Sequence, residues 1–258
     1  MKTPSFFIAH GSPLLALEDN EYTRFLEQLG EDLPRPRAIV VFSAHWDSPQ
    51  QQLTADERYE AQHDFYGFPE DMYRLTYPAP GDPELSRRIS ELFKSHNLPH
   101  QPVAGRGLDH GVWVILRKMF PLADVPVIAM SVDSLRSPKE QYEIGRMLSP
   151  LREEGVLFIG SGGLVHNLRL LIHSDEPEEW ALSFDAWVSE TLESRNLQEL
   201  FQYDKKAPHA REAVPSYGKE HFVPLFYVLG TAAGGTKAQR MFQAYQYGTL
   251  SLNCWKFE

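Results

Sequence analysis

Two kinds of apolar pattern alternate along the first 160 residues. Four runs are continuous: Ser5–Ala9 (SFFIA), Ala38–Ala44 (AIVVFSA), Val125–Val132 (VPVIAMSV) and Val156–Gly160 (VLFIG). A strand with one wet face alternates apolar and polar residues, whereas a strand covered on both faces stays apolar throughout. These four therefore predict buried strands. Between them lie helical stripes. Glu21–Leu29 follows the capping pair Asp19-Asn20, and Pro83–His96 places Leu85, Ile89, Leu92 and Phe93 on one face. Gly111–Phe120 and Pro138–Arg152 also read as helices. Strands alternating with helices predict an α/β fold, a central largely parallel sheet flanked by helices.

The second half turns helical, with Glu178–Ser194 and Lys219–Leu229 as its helices. The tail Ala244–Phe257, with Gly248-Thr249 inside it, predicts a closing pair of strands. No repeat or linker interrupts the chain, so residues 1–258 are read as a single domain. One stretch obeys neither period. His63–Pro83 (HDFYGFPEDMYRLTYPAPGDP) holds five aromatics, four prolines and two glycines. Such a segment predicts a long ordered loop, the kind that covers a pocket.

Composition narrows the chemistry. The formal net charge is -10 with no basic stripe, which argues against nucleic acid and against a polyanionic membrane surface as partners. The apolar stretch in MKTPSFFIAHGSP is too short for a signal peptide, and no run reaches transmembrane length, so a cytoplasmic location is expected. Nothing in the sequence demands a second subunit, so a monomer or weak homo-oligomer is expected. The lone cysteine, Cys254, forms no internal disulfide and no thiolate zinc cluster. Any bound metal must use His, Asp or Glu.

The ten histidines are placed unevenly. His10, His45 and His166 each stand at or just beyond the end of a predicted strand. His110 opens a helix after RGLD, and His221 begins the apolar segment EHFVPLFYVLG. In an open α/β sheet, ligands collect beyond the carboxyl ends of the strands, and imidazole is the commonest metal-ligating side chain. Taken singly, each of these histidines reads as a hydrogen-bonded structural residue. Together they read as a metal site assembled by the fold at the carboxyl edge of the sheet. His96, His100, His173 and His209 lie in polar contexts and read as surface residues; His63 reads as a loop anchor or a pocket wall. Gly160-Ser161-Gly162-Gly163 fails as a dinucleotide loop because Val165 stands at the third glycine. It fails as a nucleophile elbow because Ile159 stands at the first. Its glycines instead predict a tight turn that carries His166 to the site.

Seven segments, AHGSP, VVFSAHW, HDFYGFP, YPAPG, LDHGVW, SGGLVHNL and EHFVPLFYVLG, resemble in content and order the class III extradiol ring-cleavage dioxygenases, most closely their 4,5-DOPA extradiol dioxygenase branch. The resemblance runs from residue 5 to about residue 230 and is weaker in the tail. It implies a mononuclear non-haem Fe(II) enzyme that opens a catechol, L-DOPA-like, with O2 to a muconate semialdehyde. By that resemblance His10, His45 and His221 stand at ligand positions. His166 stands at the acid/base position, close enough to serve as a fourth ligand, and His110 faces substrate or oxygen. The protocatechuate branch uses two histidines and a glutamate, so Glu220 beside His221 is an alternative third ligand. An all-histidine set also suits Zn(II), which is expected in purified samples.

Within this reading, imidazole titrates near working pH and can move the catechol proton. Asp109 or another acceptor fixes a histidine tautomer, and Phe65, Tyr66 and Phe68 cover the planar substrate. Trp46 reads equally as a packing surface for the ring or as plain core. The competing reading is a zinc-dependent hydrolase, an amidase or esterase, that activates water on the same histidines. A binding protein without turnover is a third, and the presence of His166 argues against it.

Overall fold

The four continuous apolar runs become four adjacent parallel strands. The structure is a computed structural model that describes residues 2–174, 176–235 and 237–258. In chain order its strands are β1 (Ser5–Ala9), β2 (Ala38–Asp47), β3 (Gln51–Thr54), β4 (His100–Val103), β5 (Val127–Val132), β6 (Val156–Gly162), β7 (Ala238–Gln246) and β8 (Leu250–Phe257). They form one eight-stranded sheet in the order β4-β3-β5-β2-β6-β1-β8-β7. The central block β5-β2-β6-β1 is parallel throughout. β3 joins it antiparallel to β5, and β8 joins it antiparallel to β1.

Both faces of that block are covered, which is why its strands carry no polar alternation. Val40, Phe42, Ile128, Met130 and Phe158 face one core, while Ile39, Val41, Val127, Ala129 and Ile159 face the other. The helices that cover them are α1 (Glu21–Asp32), α2 (Pro83–Ser95), α3 (His110–Met119), α4 (Pro138–Leu148) and α5 (Glu179–Glu193). Three single-turn helices follow, α6 (Leu197–Leu200), α7 (Tyr203–Lys206) and α8 (Ala210–Ala213), and then α9 (Pro224–Thr231). The first core packs against α2, α4, α5 and α9, and the second against α1 and α3. Asn20 and Thr23 cap α1 reciprocally, and Ser137 and Glu140 do the same for α4.

Prolines correct two predicted helices. The segment Pro138–Arg152 is helical only to Leu148 and continues as a 3-10 turn, Ser149–Glu154, because Pro150 has no N–H to give an α-helix. The segment Lys219–Leu229 is split. Lys219–His221 is a 3-10 turn, and the α-helix starts at Pro224, whose ring suits a first turn. The closing strand pair forms around Gly248, but its first strand begins at Ala238, six residues before the predicted start. β3 and β4 are short edge additions without an apolar run and were not predicted. No helix among the described residues is long and apolar enough to cross a membrane.

Candidate metal centre

Strand geometry brings the histidines together. β1 ends at Ala9, so His10 lies just past its carboxyl end, and Gly11, at φ +57, turns the chain away at once. His45 lies in the last turn of pleat of β2, beside β1 and β6 in the same parallel block. His221 arrives from the far side on its 3-10 turn. Gly162, at the end of β6, is what lets it in: a Cβ there would stand 2.0 Å from the His221 carbonyl oxygen. The Gly163 N–H donates to that same carbonyl at 2.8 Å. The glycines of SGG thus admit His221 rather than making a left-handed turn for His166, since neither Gly162 nor Gly163 has positive φ.

One ring nitrogen from each of His10, His45 and His221 lies within 4.8 Å of the others. The outward nitrogens of His10 and His221 are hydrogen-bonded to separate acceptors, and that of His45 faces a third group. Ser161 gives its hydroxyl proton to the Gly111 carbonyl at 2.5 Å, so it accepts from His10 Nδ1–H at 3.0 Å. Glu220 accepts from His221 Nδ1–H at 2.9 Å. The Asp64 carboxylate stands 3.6 Å from His45 Nδ1 and favours the proton there. His10 and His221 are thereby set with Nε2 unprotonated, and the Asp64 charge biases His45 the same way. His10 Nε2 and His45 Nε2 nevertheless face each other at 3.0 Å. Two lone pairs at that distance repel unless a cation lies between them. Metal–imidazole bonds of about 2.0–2.1 Å at a right angle place two ligand nitrogens about 3 Å apart, so the pair fits a shared ion.

Burial favours the same state. It pushes the His10 and His221 imidazoles well below the usual histidine range, and the neighbouring histidines push them further. His45 is lowered to about 3, first by burial and then by the charge of His110. Neutral imidazoles are the form that binds a metal.

His166 and His110 flank this trio. The His166 ring lies flat on His221, centroids 3.6 Å apart and planes 5° from parallel, and its backbone N–H is held by the Ala213 carbonyl at 3.1 Å. It is not among the side chains whose ligand atoms cluster within 4.8 Å. Burial, then the charge of His110, lowers its pKa to about 4. His110 sits 3.8 Å from His45 between ring centroids, at the first position of α3. Asp64 holds it twice, accepting from its backbone N–H at 2.9 Å and from Nδ1–H at 3.0 Å. Burial alone would raise the Asp64 carboxyl, but these hydrogen bonds and the charges of His110 and His45 hold it at about 2.

His45, Asp64 and His110 form a second close group of possible ligands. Their polar atoms are already spent on one another, as in a carboxylate that orients two rings. The structure chooses among several open expectations. Asp109 fixes no tautomer; it accepts from Ser43 at 2.6 Å and from Arg106 at 3.2 Å. Glu220 turns to the His221 ring and supports it. Trp46 is core, hydrogen-bonded to Gln52 at 2.9 Å with the Arg106 guanidinium 4.2 Å above it. His63 is a loop anchor on the Leu75 carbonyl at 3.1 Å. Phe65 faces His110 at 5.8 Å, but Tyr66 is 92% exposed and points away. Ser161 and Asp64 escaped notice in the sequence, although both lie inside motifs singled out there, SGGLVHNL and HDFYGFP.

Residues 4–253 match the family described as the catalytic LigB subunit of aromatic ring-opening dioxygenase. The chain belongs to the LigB family. It is 40% identical to the 4,5-DOPA dioxygenase extradiol of Escherichia coli (strain K12) over 253 residues, 97% of this chain and 93% of that protein. It is 38% identical to the 4,5-DOPA dioxygenase extradiol of Beta vulgaris over 262 residues, 98% of this chain and 96% of that one. The crystal structure of an uncharacterized protein from Escherichia coli K12 superposes with a TM-score of 0.84 at 36% identity, covering 100% of both chains. As a LigB-family member the chain is a ring-cleaving dioxygenase and metal-dependent, and the histidine group at the strand ends supplies a place for the metal.

Proposed function

We propose that this LigB-family chain cleaves a catechol bearing an amino-acid or carboxylate side chain, extradiol to its hydroxyls, giving a muconate semialdehyde. His10, His45 and His221 would hold a single Fe(II), His166 is the acid/base, and His110 accepts a hydrogen bond from a substrate hydroxyl. The observation that carries the metal assignment is the facing pair His10 Nε2 and His45 Nε2, 3.0 Å apart, with Ser161 on the outward nitrogen of His10 and the Asp64 carboxylate 3.6 Å from that of His45. The substrate class follows the printed activity of the relatives, 4,5-DOPA dioxygenase extradiol.

Iron(II) at this site supplies Lewis acidity and the redox link between catechol and O2 that ring opening requires. The chain's own residues do the rest. His166 is neutral at working pH, so it can take the catechol hydroxyl proton and return it to the opened ring. It does not double as a fourth ligand in this reading, because its ring nitrogens lie outside the group whose ligand atoms come within 4.8 Å of one another. His110, held at Nδ1 by Asp64, leaves Nε2 free beside the histidine group. Phe65 packs against His110 and Trp113 and shields that side from water.

Anaerobic loading of the metal-free protein with Fe(II), followed by L-DOPA and then air, tests the proposal. A yellow ring-opened product is expected. Iron-loaded protein that leaves L-DOPA and simpler catechols intact contradicts it. Zinc in the same three-histidine site is expected to support no ring opening, since zinc has no accessible redox state. Activity with zinc on an ester or amide in the absence of O2 would favour the hydrolase reading instead.

A further inference from the structure

Among the described residues Asp64 is the one carboxylate that faces two of the site histidines, and it comes from the aromatic loop rather than from the sheet. That loop is fixed at its base. Gln62 N–H donates to the Leu108 carbonyl at 2.7 Å, and the Trp113 indole donates to the Gln62 carbonyl at 3.1 Å. His63 is anchored on Leu75 at 3.1 Å. Asp64, next in the chain, therefore meets the site at a defined place. Its side chain is 17% exposed although its backbone is open to solvent. Oδ1 receives both N–H groups of His110, and Oδ2 faces His45 Nδ1 at 3.6 Å.

We infer that Asp64 is a positioning residue that sets the tautomers of His45 and His110 together, keeping Nε2 of each ring unprotonated and turned to the site. The inference rests on the reading of His10, His45 and His221 as the metal centre. His10 and His221 have their own acceptors in Ser161 and Glu220. No acceptor other than Asp64 faces His45 Nδ1 among the described residues. The consequence is asymmetric. An asparagine at this position can still accept from His110 through its amide oxygen, but its NH2 group then faces His45. That donor needs an acceptor, so the His45 proton moves to Nε2, the nitrogen the metal requires. An asparagine thus preserves the shape of the contact and reverses its sign at one ring only.

The test compares wild type, Asp64→Asn and Asp64→Glu as metal-free full-length proteins labelled with 15N-histidine. Long-range 1H–15N spectra report each ring's tautomer, with His45 and His110 assigned by single His→Gln variants. Zinc titration against a competing chelator reports affinity without any turnover. Wild type is expected to carry the His45 proton on Nδ1. Asp64→Asn is expected to move it to Nε2, leave His110 unchanged, and weaken zinc binding at least about tenfold, within the range seen when a ligand's orienting partner is lost. Asp64→Glu is expected to recover the wild-type tautomer. A wild-type His45 already protonated on Nε2 overturns the inference without any variant. So does an Asp64→Asn protein with an unchanged His45 tautomer or a smaller loss of affinity; Asp64 would then only hold the loop. If wild type binds no zinc, the metal reading fails by itself, and the tautomers of the metal-free protein still decide the role of Asp64.

Discussion

At the scale of single residues, His10 and His166 have separable jobs despite lying in one cluster. His10 contributes a nitrogen 3.0 Å from that of His45, whereas His166 contributes a ring stacked on His221. Replacing His10 by Ala is expected to abolish stoichiometric iron or zinc binding while leaving the circular dichroism spectrum unchanged. Metal analysis after dialysis checks this. Replacing His166 by Gln is expected to retain the metal and lower kcat by about 10²–10⁴, the usual contribution of a positioned acid/base. Metal loss in His166→Gln would make that residue a ligand instead. The ligand candidates were visible in the sequence because His10 and His45 stand where an apolar run stops and His221 stands where one begins. Their partners were not. Ser161, Glu220 and Asp64 are chosen by how β6, the 3-10 turn and the aromatic loop meet, and no spacing along the chain encodes that meeting.

At the scale of elements, two contacts hold the site's frame. The first is the close approach of β6 and the turn carrying His221, which requires Gly162. A Gly162→Ala substitution forces a Cβ to 2.0 Å from the His221 carbonyl. It is expected to cost about 1–3 kcal/mol, as overpacked cores do, and to displace His221, so that zinc affinity falls along with stability. The second is Arg152, 1% exposed, whose guanidinium donates to the carbonyls of Thr3 at 2.6 Å, Thr231 at 3.3 Å and Phe257 at 3.3 Å. It ties the chain before β1 to the end of α9 and the end of β8. Arg152→Ala strands these carbonyls and is expected to lower stability by about 3 kcal/mol, read as a lower urea midpoint for the metal-free protein. Element by element, the sequence was most legible where burial was complete. The parallel strands β1, β2, β5 and β6 are apolar on both faces and were predicted within two or three residues at each end. β3 (QQLT) and β4 (HQPV) are short and largely polar and close one end of the sheet. They take their conformation from the neighbour they pair with, so their own sequence carries no period to read.

At the scale of the molecule, the proposed ligands at residues 10, 45 and 221 come together only in the folded chain, so on this proposal the metal and the fold are coupled. An ion that binds only the folded chain stabilises it by mass action, about 2.7 kcal/mol at one hundred times its Kd. A thermal transition several degrees higher with zinc than with chelator is expected, and no such difference in His10→Ala. The central claim, however, is chemical: the LigB-family fold uses these histidines to put O2 into a catechol ring. Isotope labelling tests that most directly. Iron-loaded protein is mixed with L-DOPA under 18O2 in unlabelled water, and the product is examined by mass spectrometry. The account predicts a ring-opened product whose new carboxylate carries an oxygen from O2. An intact ring, or an opened ring whose carboxylate takes its new oxygen from water alone, would contradict it.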